Sequence, residues 1–138
     1  MWTYEHSRTT TATPAAAWNC YADPAQWPRW DREVARLTLS GPPAAGTRGT
    51  LTLHGRPPAP ITIVEAIPEC CLSTETRTPD GTFLRFTHRI EALAEGARLI
   101  HRVDIDGPSA DDADFTAAVA APIPETMRRL AEVAARRR

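Results

Sequence analysis

The sequence predicts an α+β fold: a seven-stranded, curved antiparallel sheet wrapped on a long C-terminal helix, with two short helices after the first strand. Three observations carry this expectation. Runs rich in β-branched and aromatic residues recur between short breaks of Gly and Pro. Two proline-led helix starts, Thr13-Pro14 and Asp23-Pro24, follow the first of those runs. Beyond Gly107-Pro108 the chain turns Ala-rich, opens on acids and closes on arginines, which suits the dipole of a helix.

Taken in order, residues 2–11 read as a strand. Thr13 caps a helix from Pro14 to about Tyr21, and Asp23-Pro24 caps a second one through Trp27. Strands are expected near 34–40, 48–54, 61–67, 70–77, 82–93 and 97–106. They are divided at Gly41-Pro42-Pro43, Gly55-Arg56-Pro57-Pro58, Pro68-Glu69, Pro79-Asp80-Gly81 and Glu95-Gly96. Breaks this short join antiparallel neighbours, so the sheet is expected to be a meander. Residues 111–135 are expected to be mainly helical, interrupted near Pro122 and Pro124. They should pack across the concave face through Phe115, Val119, Ile123, Met127 and Leu130. Arg136, Arg137 and Arg138 read as a solvated helix end. A curved sheet closed in this way encloses a cavity.

With 138 residues, 42% of them hydrophobic, the chain suits one domain spanning 1–138, burying roughly two-thirds of its unfolded surface. A net charge of −1 gives no electrostatic footprint for nucleic acid, and no apolar stretch approaches the roughly 20 residues of a membrane span. Three cysteines form neither a disulfide framework nor a zinc spacing, so a reducing cytoplasm is expected. All 16 basic residues are arginine. Lysine imine chemistry, ordinary pyridoxal-phosphate catalysis and a Walker P-loop are therefore excluded. GxSxG, GxGxxG, HExxH and CxxC are all missing. No metal and no cofactor are expected.

The strand phases bring polar residues to the apolar face. Pro79-Asp80-Gly81 suits a three-residue hairpin loop ending in a left-handed glycine, which pairs Leu72 with His88, Thr74 with Phe86 and Thr76 with Leu84. With Glu95-Gly96 at the centre of an even turn, His88 faces Val103 and His101 faces Ile90. The two histidines are then diagonal neighbours, about 7–8 Å apart by Cα, on the inner face. The same alternation turns Cys70 inward and Cys71 outward, and puts Arg85, Arg89 and Arg102 on the solvated outer face.

Several groups of residues, in this order and spacing, resemble the START-like (SRPBCC) superfamily, most closely its bacterial polyketide cyclase/dehydrase type. They are Tyr4-Glu5-His6-Ser7, Pro14-x-x-x-Trp18, Asp23-Pro24-x-x-Trp27-Pro28-x-Trp30-Asp31 and Gly46-Thr47-x-Gly49-x-Leu51. Leu84-Arg85-Phe86-x-His88, His101-Arg102-Val103 and Gly107-Pro108 complete the set. The resemblance spans nearly the whole chain and implies the helix-grip fold. It also implies an inward residue at Thr10, and hence Tyr4, His6 and Arg8 on the inner face, where periodicity alone decides nothing.

The expected catalytic residues are His6, Arg8, His88 and His101: a histidine as acid/base, with Arg8 or Tyr4 holding a carbonyl or enolate oxygen. The expected ligand-lining residues are Tyr4, Thr10, Leu51, Thr74, Leu84, Phe86, Val103, Phe115 and Val119. Trp27 and Trp30 either wedge the short helices onto the sheet or stack on a planar ligand. The expected partner is a small hydrophobic or aromatic molecule, bound by a monomer or homodimer, with no nucleic acid and no membrane. Three readings stay open: a cofactor-free cyclase or dehydratase, a hydrophobic-ligand carrier, and an interaction module with a collapsed cavity.

Overall fold

Side-chain caps start the helices where the sequence places them. Thr13 Oγ1 accepts from the Ala16 amide at 3.1 Å and opens α1, Pro14–Ala22. Asp23 Oδ1 accepts from the Ala25 amide at 3.0 Å, and a 3₁₀ turn, Pro24–Gln26, runs straight into α2, Trp27–Trp30. The helical corner therefore extends past Trp27. Pro28 falls in the first turn of α2, where its missing N–H is no loss. The computed structural model describes residues 1–136, so Arg137 and Arg138 of the expected solvated end lie outside the described residues.

Seven strands follow the pattern of breaks: β1 Trp2–Thr10, β2 Val34–Leu39, β3 Arg48–Leu53, β4 Ala59–Ile67, β5 Cys71–Arg77, β6 Phe83–Leu93 and β7 Gly96–Asp106. They form one sheet in the order β1-β7-β6-β5-β4-β3-β2, antiparallel throughout. The β5·β6 register is the expected one, with Leu72 opposite His88 and Thr74 opposite Phe86.

The β6·β7 register differs from expectation. Leu93 pairs with Gly96, and His88 stands directly opposite His101 rather than diagonal to it. Gly96, at φ +100°, opens the β7 ladder instead of sharing the turn centre, which moves one residue back to Ala94 and Glu95. The slip changes each pairing by two residues, so the inward set is untouched.

Gly96 also fixes how β1 closes on β7. A Cβ there would lie 2.0 Å from the Thr10 carbonyl oxygen. Gly96→Ala is expected to cost roughly 1–3 kcal/mol from backbone strain alone. Urea unfolding checks this, and an unchanged midpoint would contradict it.

After a 3₁₀ turn at Pro108–Asp111, the C-terminal segment forms α3, Ala113–Ala120, and α4, Ile123–Arg136. Asp112 caps α3 by accepting from the Asp114 and Phe115 amides. The interruption falls at residues 121–122. Pro124 lies within the first turn of α4 and breaks nothing. α4 buries Met127, Leu130, Ala131, Val133 and Ala134 on one face, and Thr10 Oγ1 donates to the Ala131 carbonyl at 2.9 Å. The helix is thereby tied to β1, and the main core lies between it, α1, α2 and the sheet.

Candidate functional site

The registers stack the inward side chains in rows across four strands. One row is Thr76, Leu84, Ile105, Trp2, and the next is Thr74, Phe86, Val103, Tyr4. Below them runs Leu72, His88, His101, His6, a belt of three imidazoles on neighbouring strands. Ile90, Leu99 and Arg8 form the row beyond. Apolar rows thus border the imidazole belt on both sides.

The two central imidazoles are buried and perpendicular, their ring centres 4.5 Å apart. His88 Nδ1 lies 3.3 Å from the Leu72 carbonyl. A carbonyl can only accept, so Nδ1 carries the proton and Nε2 presents a lone pair. Tyr21, at the end of α1, puts its hydroxyl 2.8 Å from His101 Nε2. Burial pushes His88 down to about 4, against a smaller upward pull from its hydrogen bond to Leu72. Burial, aided by His88 and then His6, holds His101 well below the usual imidazole range. Burial and then Cys20 raise the Tyr21 phenol well above its usual value. All three groups are neutral near pH 7. One proton therefore lies between Tyr21 and His101, and either ring can donate it.

Trp27 and Trp30 roof this cluster. Trp27 Nε1 donates to the Tyr21 carbonyl and Trp30 Nε1 to the Cys20 carbonyl, both at 2.9 Å, which satisfies carbonyls at the end of α1. Their rings lie 5.5 Å and 6.1 Å from that of His88. The wedge role is thus realised. The expected open cavity beside the histidines is not: their rings are covered by Tyr21, Trp27 and Trp30, because the indoles fill the concave space.

Other expected residues fall into three places. Leu84 and Val103, with Ile105, form a second buried cluster against which Trp2, Tyr4, Phe86, Phe115, Val119 and Ile123 pack half-buried. Trp2 and Tyr4 stack with ring centres 6.4 Å apart. Thr74 is buried beside Phe86, and His6 is half-buried opposite His101.

Arg8 does not join the imidazoles. It has the expected inward phase, but it is exposed on the edge strand and acts on Glu125 of α4. The Thr10 hydroxyl is used on α4 rather than offered to a ligand. Leu51 packs against the main core opposite Leu37, remote from the imidazole row. Cys71 lies on the outer face but is buried, its Sγ 3.3 Å from Glu65 Oε1. Burial first, then Glu65 and Cys70, push its thiol up to about 12, so it is no nucleophile.

Sequence reasoning overlooked Tyr21. Its signal was present in the buried spacing of Ala17, Cys20 and Tyr21 on α1. It also overlooked Asp31, whose carboxyl burial raises to about 6, offset in part by the Glu33 amide. Among the described residues no group of three His, Cys, Asp or Glu side chains is placed to hold a metal, and no helix is long and apolar enough to cross a membrane.

Two concavities flank these features. One, of about 600 Å³, lies on the outer face of the sheet, where Arg85 and Arg102 are matched by Glu75 and Asp104 at 3.3 and 3.1 Å. Its charges largely neutralise each other, and it has no access to the imidazoles. The other, of about 150 Å³, is a gap between the end of α2 and the start of α4, with Trp30 in its wall.

A seven-stranded antiparallel sheet gripping a C-terminal helix, with an imidazole belt between apolar rows, defines a helix-grip protein. Residues 1–135 match the model of the family described as "Polyketide cyclase / dehydrase and lipid transport", and the chain belongs to that family. No curated protein matches the chain. Among solved structures it is similar to protein MLL2253 from Mesorhizobium loti, with 16% identity, 99% of each chain covered and a TM-score of 0.80. It is similar also to DynU16 of the dynemicin biosynthetic locus, at 17% identity, with 94% of this chain and 46% of that chain covered and a TM-score of 0.76. Ara h 8.0201 shares 14% identity over 96% and 97% of the two chains, with a TM-score of 0.73. At these identities the likeness is one of fold.

Proposed function

We propose that the protein binds a small apolar, oxygenated molecule between its sheet and C-terminal helices and catalyses its cofactor-free cyclisation or dehydration. The observation that carries this reading is the contact of Tyr21, His101 and His88 at the border of a half-buried apolar cluster. In a dehydration, displacement of the Trp27 or Trp30 ring that covers it opens His88 to the substrate, and His88 Nε2 then takes the proton from the carbon next to a carbonyl. Tyr21, backed by His101, gives its proton to the departing hydroxyl, and water leaves. In a cyclisation the same groups remove a proton from the attacking carbon and protonate the carbonyl oxygen that receives it. The apolar rows hold the carbon skeleton in one pose, which supplies the entropic part of the catalysis.

A second reading, carriage of a hydrophobic ligand without chemistry, is favoured by one feature. The half-buried cluster of Trp2, Tyr4, Phe86 and Phe115 can hold an apolar body without using the imidazoles.

Native mass spectrometry of the purified protein, offered a panel of conjugated hydroxy-ketones, tests both. The expected result is a bound species converted to a product lighter by one water, or to an isomer, with no added metal or nucleotide. Tight retention without conversion would support carriage instead, and failure to bind any of the panel would count against both.

A further inference from the structure

Of the four α-helices, α3 buries the least: Thr116 alone, against five residues of α4. Its apolar hold on the sheet is Phe115 and Val119, both half-buried against the second cluster. At its far end Pro122 has no amide to give to the Ala118 carbonyl, so the helical ladder is interrupted where α3 meets α4.

At its near end the segment is fastened to the β5–β6 loop. Ser109 Oγ donates to Asp80 Oδ2 at 2.6 Å, and Thr82 Oγ1 accepts from the Ser109 amide at 2.9 Å. Thr82 is fully buried, and Gly107, at φ +122°, passes so close that a Cβ there would stand 2.9 Å from Thr82 Cα. Asp80 also accepts from the Thr78 hydroxyl and the Thr82 amide, so the loop is rigid where it receives Ser109.

Beneath α3 lie Leu84, Phe86, Val103 and Tyr4. The row of Phe86, Val103 and Tyr4 adjoins that of His88, His101 and His6, and neither concavity described above is lined by it. A helix that buries little, broken at one end and hydrogen-bonded at the other, opens at lower cost than its neighbours.

We propose that α3 is a flap over the entrance to the ligand site, hinged at residues 121–122 and held shut by a catch between Ser109 and the side chains of Asp80 and Thr82. Swinging it out lays Phe86, Val103 and Tyr4 bare beside the imidazole row without unseating α4. The entrance role rests on the ligand-binding reading above, whereas the motion stands without it.

Hydrogen–deuterium exchange read by mass spectrometry follows the motion, and stopped-flow binding of the neutral dye Nile red follows entry. In native protein the α3 amides are expected to exchange faster than those of Met127 to Ala134 in α4. The double variant Thr82→Val, Ser109→Ala removes both side-chain bonds of the catch. It should speed α3 exchange roughly tenfold, the effect of losing such bonds on an opening equilibrium, while α4 exchange holds. Dye association should quicken by a similar factor, because the binding-competent fraction rises with opening. Ser109→Ala alone leaves the buried Thr82 in place, which keeps the fold, and should give a smaller rise in both rates.

Alike exchange of α3 and α4 in the native protein and both variants would overturn the flap. Faster α3 exchange with unchanged dye association would overturn its role as entrance and leave the binding reading standing. Faster α3 exchange with no dye bound by any form would overturn the binding reading and leave the flap.

Discussion

Replacing His101 with alanine is expected to lower turnover by roughly 10²–10⁴-fold while leaving ligand affinity nearly unchanged. The expectation follows from what the ring touches. His101 shares its proton with Tyr21 at 2.8 Å and stands against His88, so its loss strands the phenol and breaks the route by which the proton returns. In the proposed binding mode the ligand's apolar body would lie against the row of Phe86, Val103 and Tyr4, which the change leaves in place. Alanine also opens a hole in a packed cluster, so Tyr21→Phe serves as a second probe that keeps the ring and removes the hydroxyl. The two changes together should cost little more than either alone, because the pair acts as a unit. Single-turnover kinetics would read the effect. Unchanged turnover in Tyr21→Phe would remove the pair from the chemistry.

Replacing Asp31 with asparagine is expected to stabilise the protein by about 3 kcal/mol at pH 7. The Asp31 carboxyl is raised from 3.8 to about 6 in the folded state, a difference worth about 3 kcal/mol. A raised acid binds its proton more tightly when folded. It favours folding below pH 3.8, and that contribution is lost as pH rises through 6. At neutral pH the half-buried carboxylate is a burden that the amide removes, while its oxygen can still accept from the Glu33 amide at 3.0 Å.

The imidazoles work in the other direction. His88 is lowered from 6.5 to about 4, so the unfolded chain takes up its proton first as the solution turns acid. Its contribution, again about 3 kcal/mol, is complete above pH 6.5 and is lost as pH falls to 4. His101 shifts in the same direction and adds to the loss. In the native chain Asp31 offsets part of this acid sensitivity. The Asp31→Asn variant should therefore show a steeper decline between pH 6.5 and 4, measured by urea unfolding at a series of pH values. A variant no more stable than its parent at pH 7 would refute the account.

How much could be read in advance depended on what fixed each feature locally. The β5·β6 register was legible because Pro79-Asp80-Gly81 closes a loop of one geometry: Gly81 takes φ +87° and Asp80 accepts from the Thr82 amide at 2.9 Å. The β6·β7 turn contains a glycine that could either share the bend or open the ladder, and sequence alone does not choose between them. Alternation survived the error, which is why His88 and His101 were still placed on one face.

The phase of β1 came from the resemblance rather than from periodicity; it turned His6 inward without fixing its partner, and the register sets it opposite His101. Exposure could not be read in the same way. Whether Arg8 lies inside or at the rim depends on how far α4 overlaps the edge strand. Tyr21 and His101 are 80 residues apart, and their contact follows from the docking of α1, which no local pattern encodes.

β1 pairs along its whole length with β7, Trp2 opposite Ile105 and Thr10 opposite Ala97. At a ribosomal rate of roughly 5–20 residues per second, roughly 5–20 s pass between the synthesis of one strand and that of its mate. During that interval residues 2–10 of the nascent chain have no ladder to join. Thr3, Glu5, Ser7 and Thr9 occupy one face of the segment, with His6 and Arg8 on the other. Charge on both faces makes it a poor template for pairing with another unfinished chain. The same polarity that hides this strand from hydrophobic periodicity guards it against aggregation until its mate emerges.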